Sequence, residues 1–119
     1  MDKKILIIED YPPTIEMIMA CLERSYASDF ALDGPTGLEK AFTYKPDLIL
    51  LDIMLPGMDG IQVCRKLRAD PRTAKTPIIM ESAKVAAEEV IAGLHAGADE
   101  YLLKPFTLDQ LMKLVKKHI

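Results

Sequence analysis

A chain of 119 residues, half of them hydrophobic and 28% charged, is sized for one domain, residues 1–119, with a real core, which excludes a disordered tail. Eighteen acids against 15 bases leave a net charge of −3, which argues against nucleic-acid binding through bulk positive charge. Two cysteines do not make a disulfide scaffold and no apolar run is long enough to cross a membrane, so a cytoplasmic chain is expected.

The first apolar burst, Ile5-Leu6-Ile7-Ile8, is short and ends on Glu9-Asp10, so it reads as a strand rather than a signal peptide. Pro12-Pro13 then open a helix whose Ile15, Ile18, Met19 and Leu22 share a face. A weak strand at Phe30-Ala31-Leu32, flanked by Asp29 and Asp33, suits a sheet edge. Leu38, Ala41 and Phe42 lie on a second helix, its start marked by a capping-box pattern at Thr36-Gly37-Leu38-Glu39. Leu48-Ile49-Leu50-Leu51 is a third strand. The helix after it carries Ile61, Cys64 and Leu67, opens at Asp59 with Gln62 three residues on, and stops at Asp70-Pro71. Ile78-Ile79-Met80 is a fourth strand, followed by an alanine-rich helix with Val90, Ile91 and Leu94 that stops at Gly97. Tyr101-Leu102-Leu103 is a fifth, and Thr107 with Gln110 opens the last helix, which carries Leu108, Leu111, Met112 and Val115. Strand and helix thus alternate five times, and the strand runs are continuously apolar, which implies an α/β, doubly wound, five-stranded parallel sheet with five helices on its two faces.

In such open sheets ligands bind at the carboxyl ends of the strands. Those ends carry Glu9-Asp10, Asp52, Ser82 and Lys104: three acids, one hydroxyl and one lysine. Clustered carboxylates repel, and a hard divalent cation such as Mg²⁺ relieves that. A carboxylate can attack phosphorus to form an acyl phosphate, with Ser82 and Lys104 available to phosphoryl oxygens.

With these residues the chain resembles the receiver domain of bacterial two-component response regulators over its whole length. The resemblance rests on Glu9-Asp10, the segment Pro46 to Asp52, the loop Met54-Leu55-Pro56-Gly57-Met58-Asp59-Gly60, the pair Ser82-Ala83, and Gly97 to Phe106. It implies the flavodoxin-like strand order 2-1-3-4-5. It implies that Asp52 is the phosphoacceptor, served by a histidine kinase or histidine phosphotransfer protein. Asp10, Asp52 and the Met54 carbonyl would ligate Mg²⁺ directly and Glu9 through water. Ser82 and Tyr101 would form the switch, Lys104 would pair with the phosphate, and the Lys104–Pro105 bond would be cis. It also implies a signalling switch that catalyses only its own phosphorylation and dephosphorylation, acting on an unidentified downstream protein or fused output domain, without direct nucleic-acid binding or a membrane. A phosphorylation-dependent homodimer stays open, and Met54 and Lys84 resemble positions that tune dephosphorylation.

Other readings stand beside these. Glu9-Asp10 also suits the start of the first helix. Glu81 departs from the family's usual apolar residue and is expected to reach solvent, pointing opposite to Ser82; the sharper alternative couples it to Lys84 or to a partner face. Cys21 and Cys64 read as core residues, and His95 and His118 as surface residues. Tyr101 also fits a plain half-buried strand position. The competing functions are a Mg²⁺-dependent phosphatase with an aspartyl nucleophile, against which Met54 replaces the second acid, a flavin or nucleotide module, which lacks a glycine-rich loop, and a degenerate interaction module that is not phosphorylated.

Overall fold

Apolar residues on both sides of a strand must be covered on both sides, and the chain does this with helices. The computed structural model describes residues 2–83 and 87–119. Its strands are β1 (Lys4–Ile8), β2 (Ala27–Ala31), β3 (Leu48–Asp52), β4 (Ile78–Ser82) and β5 (Glu100–Leu103). Its helices are α1 (Pro12–Leu22), α2 (Gly34–Tyr44), α3 (Gly60–Ala69), α4 (Ala87–His95) and α5 (Leu108–His118). All strand pairs are parallel and their order is β2-β1-β3-β4-β5, the flavodoxin-like arrangement expected.

Side chains alternate between the two faces of the sheet. Leu6, Ile8, Ile49, Leu51, Ile78 and Met80 pack against Ala41 of α2 and Val63, Cys64 and Leu67 of α3. Ile5, Ile7, Leu48, Leu50, Ile79 and Leu102 pack against Ile15, Ile18 and Leu22 of α1 and Leu111 and Val115 of α5. Each of these large side chains contributes about 1.5–3 kcal/mol by leaving water. The same parity carries on past the last core residues, so Glu9, Asp52, Glu81 and Lys104 continue the α1/α5 face at the carboxyl edge.

Two boundaries differ from expectation. The edge strand β2 begins at Ala27, three residues before Phe30, so Asp29 lies inside it and Leu32 beyond it. Its partner decides this: Lys4 through Ile8 pair with Ala27 through Ala31, whatever the local propensity. The second helix begins at Gly34, not near Thr36, because the Asp33 carboxylate accepts the Thr36 N–H at 2.8 Å and caps it. Pro35 fits this first turn, where its missing N–H costs nothing. The caps at Asp59 with Gln62 and at Thr107 with Gln110 form as reciprocal boxes. Cys64 is buried and Cys21 half-buried, whereas His118 is half-buried rather than at the surface and lies 3.1 Å from Glu100.

At the edge away from the carboxyl ends, Arg68 clamps two connections together, the one before β4 and the one before β5. Its guanidinium donates to the Gly97 carbonyl at 2.9 Å and the Thr76 carbonyl at 2.6 Å, and pairs with Asp99 at 2.9 Å. Asp99 also accepts the Ile78 N–H that starts β4. Gly97 sits at φ +114°, and a Cβ there would lie 2.6 Å from Arg68 Cγ, so backbone and clamp both require glycine.

Candidate functional site

Strands β1 and β3 are neighbours, so their ends bring Glu9, Asp10 and Asp52 together. One carboxyl oxygen from each lies within 4.8 Å of the other two. Glu9 and Asp52 are buried and Asp10 is exposed, so the cluster has one open side. Lys104 reaches over from the end of β5: its ammonium is 2.8 Å from Glu9 Oε1 and 3.4 Å from Asp52 Oδ2. Glu9 also accepts the Tyr11 N–H at 3.2 Å, which makes it part of the start of α1 as well as of the cluster. The Lys104–Pro105 bond is cis, as expected.

The other expected residues divide between the two faces of the sheet. The Met54 N–H donates to Asp52 Oδ1 at 3.1 Å, while its side chain is exposed. Ser82 is buried at the end of β4, on the α2–α4 face of the sheet by strand alternation. Tyr101 pairs with Met80 across β4 and β5, shares that face, and lays its half-buried ring against Gly93 of α4. The hydroxyl and the aromatic ring are therefore on one side of the sheet, and Lys104 and the buried acids on the other. Lys84 lies outside the described residues.

Glu81 is the chief correction. It was expected to reach solvent, but it is 0% exposed, and neither carboxyl oxygen has a hydrogen-bond partner among the described residues. It pairs with Asp52 across the sheet, which puts it on the face that α1 and α5 cover rather than at a frayed strand end. Nothing in its sequence neighbourhood marks this except the run of apolar residues that precedes it.

Burial and neighbours set the ionisation of the group. Burial raises Asp52, the adjacent Glu9 carboxyl raises it further, and the Met54 N–H and Lys104 only partly offset them, leaving it at about 6. For Glu9, burial acts against ionisation, but the Lys104 hydrogen bond and charge outweigh it and hold the carboxyl below its ordinary range. Burial pushes Glu81 up to about 8, against the pull of Lys104 and with the push of Glu9 and Asp52. Lys104 is raised in turn: burial disfavours its charge, yet the Glu9 hydrogen bond and the surrounding carboxylates prevail.

Glu81 makes stability depend on pH. Its folded-state pKa exceeds the ordinary 4.5, so between 4.5 and about 8 the folded chain keeps a proton that the unfolded chain has released. Its contribution is complete below that window and is lost as pH rises through it, by up to about 1.4 kcal/mol per pH unit. Urea unfolding in the presence of a chelator is expected to show this decline in the wild type and a flatter profile in Glu81→Gln. Parallel profiles for the two proteins would contradict the assignment.

The donor set is all oxygen, negatively charged, and open to solvent on one side. That suits a hard divalent cation such as Mg²⁺, for which one or two direct carboxylates suffice. Lys104 already supplies positive charge at two of the three carboxylates.

A family model described as the response regulator receiver domain matches residues 5–116. The chain is 42% identical to the DNA-binding response regulator MtrA of Mycolicibacterium smegmatis over 100% of its own length and 51% of the relative's. It is 44% identical to the alkaline phosphatase synthesis transcriptional regulatory protein PhoP of Bacillus subtilis, over 98% of this chain and 48% of that one. It thus spans about half the length of these curated relatives. Among solved structures, the chemotaxis protein CheY4 of Vibrio cholerae superposes with a TM-score of 0.94 at 28% identity, covering 100% of both chains. The BeF3-activated N-terminal receiver domain of RstA from Klebsiella pneumoniae does so with a TM-score of 0.90 at 33% identity, covering 98% of this chain and 97% of that one.

Proposed function

We propose, from the premise that this chain belongs to the response regulator receiver domain family, that it is a phosphorelay switch whose phosphoacceptor is Asp52. The observation that carries this reading is the convergence of Glu9, Asp10 and Asp52 within 4.8 Å under the ammonium of Lys104. The donor is a phosphohistidine on a histidine kinase or histidine phosphotransfer protein. An Asp52 carboxylate oxygen attacks phosphorus, the P–N bond breaks, and the electron pair and a proton stay with the imidazole. Two anions must meet in that step. Glu9, Asp10 and Asp52, with the Met54 carbonyl, would hold a Mg²⁺ ion, whose bound charge screens that approach.

The remaining work falls to the chain's own residues. Met54 N–H, 3.1 Å from Asp52 Oδ1, orients the carboxylate. Lys104 pairs with a phosphoryl oxygen once the group is in place, and Ser82 donates a hydrogen bond to another. Phosphorylation adds charge and acceptor oxygens, so both residues gain a partner that favours a second arrangement. Tyr101, on the same face as Ser82, follows the serine inward, and the surface of α4, β5 and α5 changes. Ile91, Leu94 and Leu103 are exposed on those elements and form the apolar part of what a downstream protein, a fused output domain or a second phosphorylated copy would contact. Residues 1–119 act as one receiver domain in the cytoplasm; no described helix is long and apolar enough to cross a membrane. Two relatives are named as DNA-binding or transcriptional regulators, and an activity of that kind would belong to a separate output domain rather than to this acidic chain.

Acetyl phosphate, a small acyl-phosphate donor, tests the reading without a kinase. Phosphoryl incorporation is expected with Mg²⁺ present and absent when a chelator replaces it. Incorporation of equal extent under both conditions would contradict the metal-dependent mechanism.

A further inference from the structure

One buried acid has no task in this mechanism. Glu81 is fully enclosed, and neither of its carboxyl oxygens has a hydrogen-bond partner among the described residues. Its place in the sheet says what it faces. The order β1-β3-β4-β5 puts β4 between Lys104 and the two acids that Lys104 meets. To come within 3.4 Å of Asp52 on β3 and 2.8 Å of Glu9 beyond β1, the lysine stem must cross the end of β4. Asp52, Glu81 and Leu102 are paired in one row, and Lys104 follows Leu102 by two residues on the same face. The residue crossed is therefore Glu81.

An ammonium group has three donors and seeks acceptors for all of them. In the observed arrangement Lys104 spends two contacts on Glu9 and Asp52. Those carboxylates are the ones a divalent cation takes, and that cation repels the ammonium. A lysine driven off them needs another acceptor, and the carboxyl of Glu81, which its stem crosses, offers an oxygen. We propose that Glu81 is a positioning residue for Lys104: it seats the ammonium while a divalent cation occupies Glu9, Asp10 and Asp52, and so keeps the lysine beside Asp52 until a phosphoryl group arrives. This rests on the receiver reading for its cation. By accepting the displaced ammonium, Glu81 removes a competitor and strengthens cation binding.

Mg²⁺ dissociation constants measured by calorimetry on the whole chain separate the alternatives. The set is wild type, Glu81→Leu, Lys104→Met and the double variant. Glu81→Leu is expected to bind Mg²⁺ about tenfold more weakly than wild type, a typical coupling between two interacting sites. In the Lys104→Met background the same substitution is expected to change affinity by less than about twofold, the scatter of independent effects. Glu81→Gln keeps one acceptor oxygen and is expected to retain most of the wild-type affinity, which a purely volumetric role would not favour over leucine. Equal weakening in both backgrounds would mean that Glu81 acts on the cation directly and would overturn the proposal. So would equal affinities in wild type and Glu81→Leu. Those two results leave the receiver reading intact, whereas a wild type that binds no Mg²⁺ contradicts that reading and this inference together.

Discussion

Asp52→Asn is expected to cut phosphoryl incorporation from acetyl phosphate by at least about 100-fold, because an amide is not a competent nucleophile toward phosphorus. The same substitution is expected to leave the fold at least as stable as wild type. Asp52 is buried next to Glu9 and its carboxyl is raised to about 6, so near neutral pH its negative charge is carried against burial and repulsion. Asparagine removes that charge, and its side-chain oxygen can still accept the Met54 N–H. The two effects therefore run in opposite directions: chemistry lost, stability kept. Intact mass after incubation with acetyl phosphate reads the first, and thermal unfolding reads the second. Incorporation equal to wild type would remove Asp52 from its role. A variant that fails to fold would show that Asp52 is chiefly a structural acid.

Gly60→Ala is expected to damage the site from behind. Gly60 opens α3 and lies so close to β3 that an added Cβ would press on the Asp52 carbonyl and sit 2.7 Å from Ile53 Cα. Both are backbone atoms, so neither can swing away as a side-chain tip could. The Gly60 N–H also donates to the Ile53 carbonyl at 2.8 Å, which ties the helix start to the end of the strand. Overpacking at such a point costs about 1–3 kcal/mol. The displacement falls on the residue proposed as the nucleophile, and a shift of about 1 Å in a reacting group can slow a reaction about 100-fold. Urea unfolding and the rate of acetyl phosphate labelling measure the two separately. Lost stability with an unchanged labelling rate would show that α3 does not set the position of Asp52.

The fold was legible because four of its strands are continuous apolar runs that only a doubly covered parallel sheet accommodates. The site followed from the same fact, since parallel strands end on one edge and the polar residue ending each run must gather there. Three features escaped a linear reading. The start of β2 depends on its pairing with β1, which ASDF does not advertise. Asp33 and Thr36 both carry cap chemistry, and the choice between them lies in the geometry of the turn that Gly34 and Pro35 form. Glu81 looked like a strand-end residue reaching water. Its burial comes from its place on the sheet face that α1 and α5 cover, neither of them adjacent in sequence, and from a register that sets it beside Asp52. For β2 and Glu81 the deciding contact is long-range; for the α2 cap it is a local turn.

Reduction with borohydride tests most directly that these acids converge so that one of them carries a phosphoryl group. Borohydride converts an aspartyl phosphate to homoserine, leaving a permanent mark at the acceptor. After incubation with acetyl phosphate and Mg²⁺, peptide mass spectrometry is expected to find homoserine at position 52 and aspartate still at position 10. Homoserine at position 10 or at another acid, or none at all, would contradict the assignment of Asp52 as the residue around which the site is built.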